Sequence, residues 1–220
     1  MLNPGDVLLF DLDGTLVRSV EFDHGLYLEA ITEVLGHSDY DADWSTYTHV
    51  TDTGLLTELL ERLGIKDTSP IISAVRALFC AKVEAYLSSG GCCDAMPGAR
   101  ETLSALTAAG IPFGIATGGW GPTARMKLQS AGFEIPTAIS SSDDAISRVD
   151  IMRHCLQQLG AIDSQAVYFG DAHWDIRATS ELGWRFVGVG TRLADRCTPI
   201  VVDFRDPWWV KASSRLGIHL

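Results

Sequence analysis

Four apolar residues, Val7-Leu8-Leu9-Phe10, run directly into Asp11-Leu12-Asp13-Gly14-Thr15. A short apolar run bounded by polar residues predicts a strand buried on both faces. In extended backbone, positions i and i+2 point to the same side. Asp11 and Asp13 are therefore expected to share one small volume where that strand ends. Like charges brought together are unfavourable unless a proton or a cation neutralises them. Gly14 permits a sharp turn after them. Taken alone, an acidic pair of this kind is only a strand followed by a polar turn, so its meaning depends on what lies downstream.

From Met96-Pro97-Gly98 onward, helix and strand patterns alternate. Helical periodicity covers 99–109, 122–131, 150–159 and 175–182, and apolar strand runs cover 113–116, 166–169 and 186–189, with a weaker candidate at 137–140. Strands separated by helices require right-handed crossovers and a parallel sheet. The segment before them differs. Residues 21–35, 52–63 and 71–87 carry only helical spacing, each closed by glycine. The expected fold is α/β, a Rossmann-like three-layer core with a mostly parallel sheet and an inserted all-helical domain. The core takes residues 1–17 and 97–220, and the insertion takes 18–96. Open parallel sheets bind ligands beyond the carboxyl ends of their strands, which is where this insertion lies.

Composition narrows the partners. A net charge of −11 over 220 residues argues against nucleic acid or an anionic membrane surface. No apolar run is long enough to span a bilayer, and the start of the chain lacks a signal-peptide pattern. Cys80, Cys92, Cys93, Cys155 and Cys197 form no C-x-x-C pair and read as reduced thiols of a cytoplasmic protein, Cys155 within the core. Trp208-Trp209 reads as packing surface, with an interaction patch as the alternative.

Four segments fall at strand ends or helix starts: Asp11 and Asp13, then Thr117-Gly118-Gly119, then Arg148, then Gly170-Asp171 with Asp175. In this order they resemble the haloacid dehalogenase superfamily, and the helical insertion resembles that of its phosphoglycolate-phosphatase and β-phosphoglucomutase branch. Residues 11–16 match that family's D-x-D-G-T-L, and Gly170, Asp171 and Asp175 match its G-D-x-x-x-D. The resemblance implies Mg²⁺ held by Asp11, Asp171 and the Asp13 backbone carbonyl, with Asp175 as ligand or support. It implies Asp11 as nucleophile, forming an aspartyl-phosphate, and Asp13 as acid and then base. Thr117, Gly118 and Gly119 are expected to bind phosphate, although Thr117 alone could be an ordinary helix cap.

The family's usual third-motif lysine is missing. Arg148 is the best match for that role, with Lys127 as the fallback and a solvated loop arginine as the alternative reading. The insertion would act as a mobile cap that excludes water and reads the leaving group. His24, Tyr27, Thr51 and Asp52 are its candidate substrate contacts, and Arg18 either touches a substrate anion or pairs with Glu21. His173 reads as a surface loop histidine and Trp174 as a packing residue. The expected activity is Mg²⁺-dependent hydrolysis of a small phosphorylated metabolite by a monomer or homodimer. A phosphomutase or a non-catalytic regulatory protein on the same fold are the alternatives.

Overall fold

The computed structural model describes residues 2–3, 5–162, 164–196 and 199–218. Strands β1 (Val7–Phe10), β2 (Phe113–Ala116), β3 (Ile139–Ser140), β4 (Ala166–Gly170), β5 (Arg185–Val189) and β6 (Ile200–Val201) form one sheet in the order β3-β2-β1-β4-β5-β6. Every pairing is parallel. The strand order reverses at β1, with β2 on one side and β4 on the other, and a crevice opens at such a switch point.

The period of two in β1 divides its side chains between two cores. Leu8 and Phe10 face a cluster that includes Leu103, Leu128, Phe204 and Trp209, while Val7 and Leu9 face Ile151, Met152 and Cys155. Phe10 stacks on Phe169 with centroids 4.8 Å apart, and Trp209 meets Phe169 edge-on at 5.1 Å. Trp209 is thus a core residue that closes one sheet face.

The helices follow the sequence periodicity closely. Helices α1 (Val20–Leu35), α2 (Asp52–Arg62) and α3 (Ser69–Ser88) come between β1 and the rest of the sheet. Helices α4 (Ala99–Ala108), α5 (Gly121–Ser130), α6 (Arg148–Gln158) and α7 (His173–Leu182) connect the later strands, and α8 (Pro207–Ser213) follows β6. The weak strand candidate shrinks to the two residues of β3. Arg148 and His173 are each the first residue of a helix, not loop residues. Sequence periodicity does not show β6 or α8, because a two-residue strand and a seven-residue helix are too short for it.

The inserted helices have their own core of Tyr27, Ile31, Leu56, Leu60, Val75, Phe79 and Val83. Trp120, from the segment after β2, is buried inside that core, 5.8 Å from Tyr27 and 5.9 Å from Phe79 between centroids. Further ties cross from the insertion to the sheet side. Thr51 Oγ1 donates to the Ile146 carbonyl at 2.7 Å, the Asp52 N–H donates to the Gly118 carbonyl at 2.8 Å, and Arg76 pairs with Asp143 at 2.9 Å. Cys80, Cys92, Cys93 and Cys155 are free thiols, and Cys155 is buried as expected, whereas Cys197 lies outside the described residues.

Candidate active site

β1 and β4 deliver the acidic residues side by side. The Asp11 N–H donates to the Phe169 carbonyl at 2.8 Å, which ties the end of β1 to the end of β4. The turn after Asp11 winds tightly, with the N–H groups of Thr15, Leu16 and Val17 all directed at the Leu12 carbonyl. Gly14 is required there for two reasons. Its φ is +80°, and a Cβ on it would collide with the Asp171 carboxylate. A Cβ on Gly170 would likewise meet Asp175 Oδ2 at 2.5 Å.

Asp11, Asp171 and Asp175 bring carboxylate oxygens within 4.8 Å of one another, all three residues buried. Arg148 is set among them: its Nη1 lies 3.2 Å from Asp11 Oδ1, 3.1 Å from Asp175 Oδ1 and 3.3 Å from the Tyr168 hydroxyl. Arg192 pairs with Asp171 Oδ2 at 2.7 Å from a solvent-exposed position. Burial pushes Asp11 well above the usual carboxylate range, against the pull of Arg148. It pushes Asp175 to about 6 and raises Asp171, the latter opposed by Arg192. Burial works against the Arg148 charge too, but Asp175 and Asp11 more than offset it, so the guanidinium stays protonated.

The Asp13 carboxylate has other partners. Its Oδ1 accepts from the Ser19 hydroxyl and sits 2.7 Å from Lys127 Nζ. Asp11 and Asp13 line the same cavity, but β1 ends at Phe10, so a tight turn rather than extended strand carries the two carboxylates and they take different partners. Lys127 is not a phosphate ligand in waiting. It is fully buried between Asp13 and Asp23, whose Oδ1 is 2.5 Å away, and it does not line the cavity.

That cavity, of about 140 Å³, is lined by Asp11, Asp13, Asp171, Arg148 and the Thr117-Gly118-Gly119 segment. His24, Tyr27, Thr51 and Asp52 line it from the insertion. Several of these polar groups are already engaged. The Tyr27 hydroxyl donates to the Asp52 carbonyl at 2.6 Å, and His24 Nδ1 accepts from Trp44 Nε1 at 3.0 Å. Asp52 Oδ2 accepts from the Trp120 N–H at 2.8 Å. Thr117 is no helix cap, because α5 begins at Gly121; its Oγ1 accepts from the Gly119 N–H at 3.1 Å.

Three residues here carry no motif in the sequence: Arg192, Asp23 and Trp174, the last of which lines the cavity rather than only packing. An apolar helix face interrupted by a charge was the available signal for Lys127, which follows Thr123 and Ala124 on the buried side of α5.

Comparison with known proteins agrees with this arrangement. Residues 6–183 match the family model for haloacid dehalogenase-like hydrolases. The tyrosine-protein kinase PtkA of Mycobacterium tuberculosis is 29% identical over 196 residues, covering 86% of this chain, which spans 64% of the relative's length. A hydrolase from Pseudomonas syringae superposes with a TM-score of 0.72 at 22% identity, over 92% of this chain and 97% of that one. A β-phosphoglucomutase from Clostridium difficile gives 0.70 at 15% identity, over 96% and 97% of the two chains. CbbY from Rhodobacter sphaeroides, solved with phosphate, gives 0.66 at 20% identity, over 90% and 94%. The structural likenesses concern the fold, and the family match covers most of the chain: this protein belongs to the haloacid dehalogenase-like hydrolases.

Proposed function

We propose that this protein is a Mg²⁺-dependent phosphomonoesterase for a small phosphorylated metabolite, working in the cytoplasm without a nucleic-acid or membrane partner. The observation that carries this reading is one cavity lined by Asp11, Asp13 and Asp171, with Asp11 beside Arg148 and Asp13 beside Lys127. Three buried carboxylates within 4.8 Å suit a hard, oxygen-liganded divalent ion, and burial raises the proton affinity of all three. Asp11, Asp171, Asp175 and the Asp13 carbonyl would hold it. When bound, Mg²⁺ would offset their repulsion and that of an incoming phosphate.

The chain's own residues then divide the work. An Asp11 oxygen attacks phosphorus while the bond from phosphorus to the leaving oxygen breaks, giving a phosphorylated Asp11. Asp13 supplies the proton that the leaving oxygen needs. In the second half Asp13 takes a proton from water, the hydroxyl attacks the same phosphorus, and Asp11 and inorganic phosphate are released. Arg148, held charged by Asp11 and Asp175, and Thr117 are placed to meet phosphoryl oxygens. A groove of about 1080 Å³ shares Val50, Arg148 and Trp174 with the cavity and gives a leaving group room to extend.

A phosphomutase uses the same two aspartates, so product analysis separates the readings. Phosphorylated metabolites, with ATP included because of the kinase relatives, are to be incubated with and without Mg²⁺. Release of inorganic phosphate that needs the metal and disappears in Asp11→Asn is expected. An isomeric ester as the product favours the mutase, and no turnover of any ester contradicts the proposal.

A further inference from the structure

Lys127 lies on the buried face of α5 with Thr123, Ala124 and Leu128 and has no solvent exposure. An ammonium in such a place is costly unless it is paired. Its partners come from two parts of the molecule: Asp13 Oδ1 at 2.7 Å from the turn after β1, and Asp23 Oδ1 at 2.5 Å from α1. Asp13 and Asp23 line the cavity, whereas Lys127 does not, so the ammonium sits behind the two carboxylates. Ser19 donates to the same Asp13 oxygen. With Oδ1 held by two donors, Oδ2 is the oxygen turned toward Thr117-Gly118-Gly119; a Cβ placed on Gly119 would stand 3.6 Å from it.

We infer that Lys127 is a positioning residue for the acid–base step: it pins Asp13 Oδ1 so that Oδ2 faces the leaving-group oxygen, and Asp23 fastens the ammonium to the first inserted helix. The inference rests on the phosphomonoesterase reading. It differs from the role of the third-motif cation, which Arg148 fills beside the nucleophile. The proton passes from Asp13 Oδ2 to the departing oxygen as the P–O bond breaks, and water later returns one proton to Oδ2. Because Asp23 belongs to the insertion and Lys127 to the sheet side, the pin is complete only with those helices seated.

The test compares kcat/KM for an unactivated alkyl phosphate and for dinitrophenyl phosphate, whose leaving group departs without a proton. Wild-type hydrolysis of both esters, lost in Asp11→Asn, tests the underlying reading by itself. In Lys127→Met the alkyl ester should lose roughly 100-fold, and the dinitrophenyl ester less than about fivefold. Lys127→Arg should recover part of the alkyl-ester loss. An equal fall on both esters, or no fall on either, overturns the assignment. Should Lys127→Met fail to fold, Lys127→Met with Asp23→Asn removes one of the carboxylates left unpaired and carries the same comparison. If the wild type hydrolyses neither ester, the phosphomonoesterase reading fails and the Lys127 role falls with it.

Discussion

Asp11 and Asp13 stand two residues apart in the chain, yet the fold gives their carboxylates different partners. Asp11 belongs to a crowd of carboxylates gathered at the ends of β1 and β4, shared with Asp171 and Asp175 and bridged by Arg148. Asp13 faces Ser19 and Lys127, with Asp23 on the far side of the ammonium. Burial raises proton affinity in both groups, at Asp11, Asp171 and Asp175 in the first and at Asp23 in the second. The cations differ: Arg148 and Arg192 serve the first group, and Lys127 serves the second. Placing two carboxylates in unlike surroundings is how one site keeps a nucleophile and an acid–base apart. In the proposed mechanism a tight turn and one buried lysine would achieve that here within three residues of sequence.

The largest test of the difference is Asp11→Asn. Loss of the nucleophile should lower turnover by at least about 10⁴-fold while the circular dichroism spectrum is unchanged. Substantial residual turnover would mean that the two aspartates are not distinct. Asp13→Asn should cost roughly 10²–10⁴-fold, because only proton transfer is removed. Calorimetric Mg²⁺ binding should persist in this variant, since the Asp13 ligand is a backbone carbonyl. Arg148→Ala should reduce kcat/KM by roughly 10²–10³-fold, and Arg148→Lys should restore all but about tenfold, since charge is kept while the planar head is lost.

The smallest effect is on stability. Asp175 and Asp23 are pushed to about 6, and Asp11, Asp52 and Asp171 are also raised. An acid that binds its proton more tightly when folded stabilises the fold fully below its ordinary pKa, and that contribution is lost as pH rises through the folded value. The metal-free protein should therefore melt higher at about pH 5 than at about pH 8, by a few degrees for each about 1–2 kcal/mol involved. Exposed Asp41 and Glu58 shift the other way, but their contribution is lost only as pH falls below their ordinary values, so it is nearly the same at both pH values. Mg²⁺ should raise the melting temperature more at the higher pH, where it need not displace protons from the Asp11 cluster. A larger Mg²⁺ effect at the lower pH would contradict the placement of the ion among those carboxylates.

Much of this was legible before any coordinates. The apolar run 7–10 marks β1, and the alternation after Gly98 marks a parallel sheet, because period-two and period-3.6 patterns come directly from which faces are buried. The acidic residues at strand ends were visible for the same reason. What remained hidden depends on side-chain direction. Lys127 could be placed on a helix, but not turned toward Asp13, which is distant in sequence. Arg192 lies in a turn with no periodicity, and its approach to Asp171 follows from how β4 and β5 align. Trp120 was unassigned because it is sheet-side in sequence but packs in the core of the inserted helices. Thr117, four residues before α5 begins at Gly121, is placed at the site by its sequence position, but its bond to the Gly119 N–H is a local turn that no pattern in the sequence shows.

The central claim is that the Asp11 carboxylate, and not its neighbour, takes the phosphoryl group. Protein mixed with a slowly hydrolysed phosphate ester and Mg²⁺, quenched in acid and digested, can be read by peptide mass spectrometry. One added phosphoryl group on the peptide, with fragmentation placing it on Asp11, is the expected result. The same mass on Asp13, or free phosphate produced with Asp11 never modified, would contradict the account.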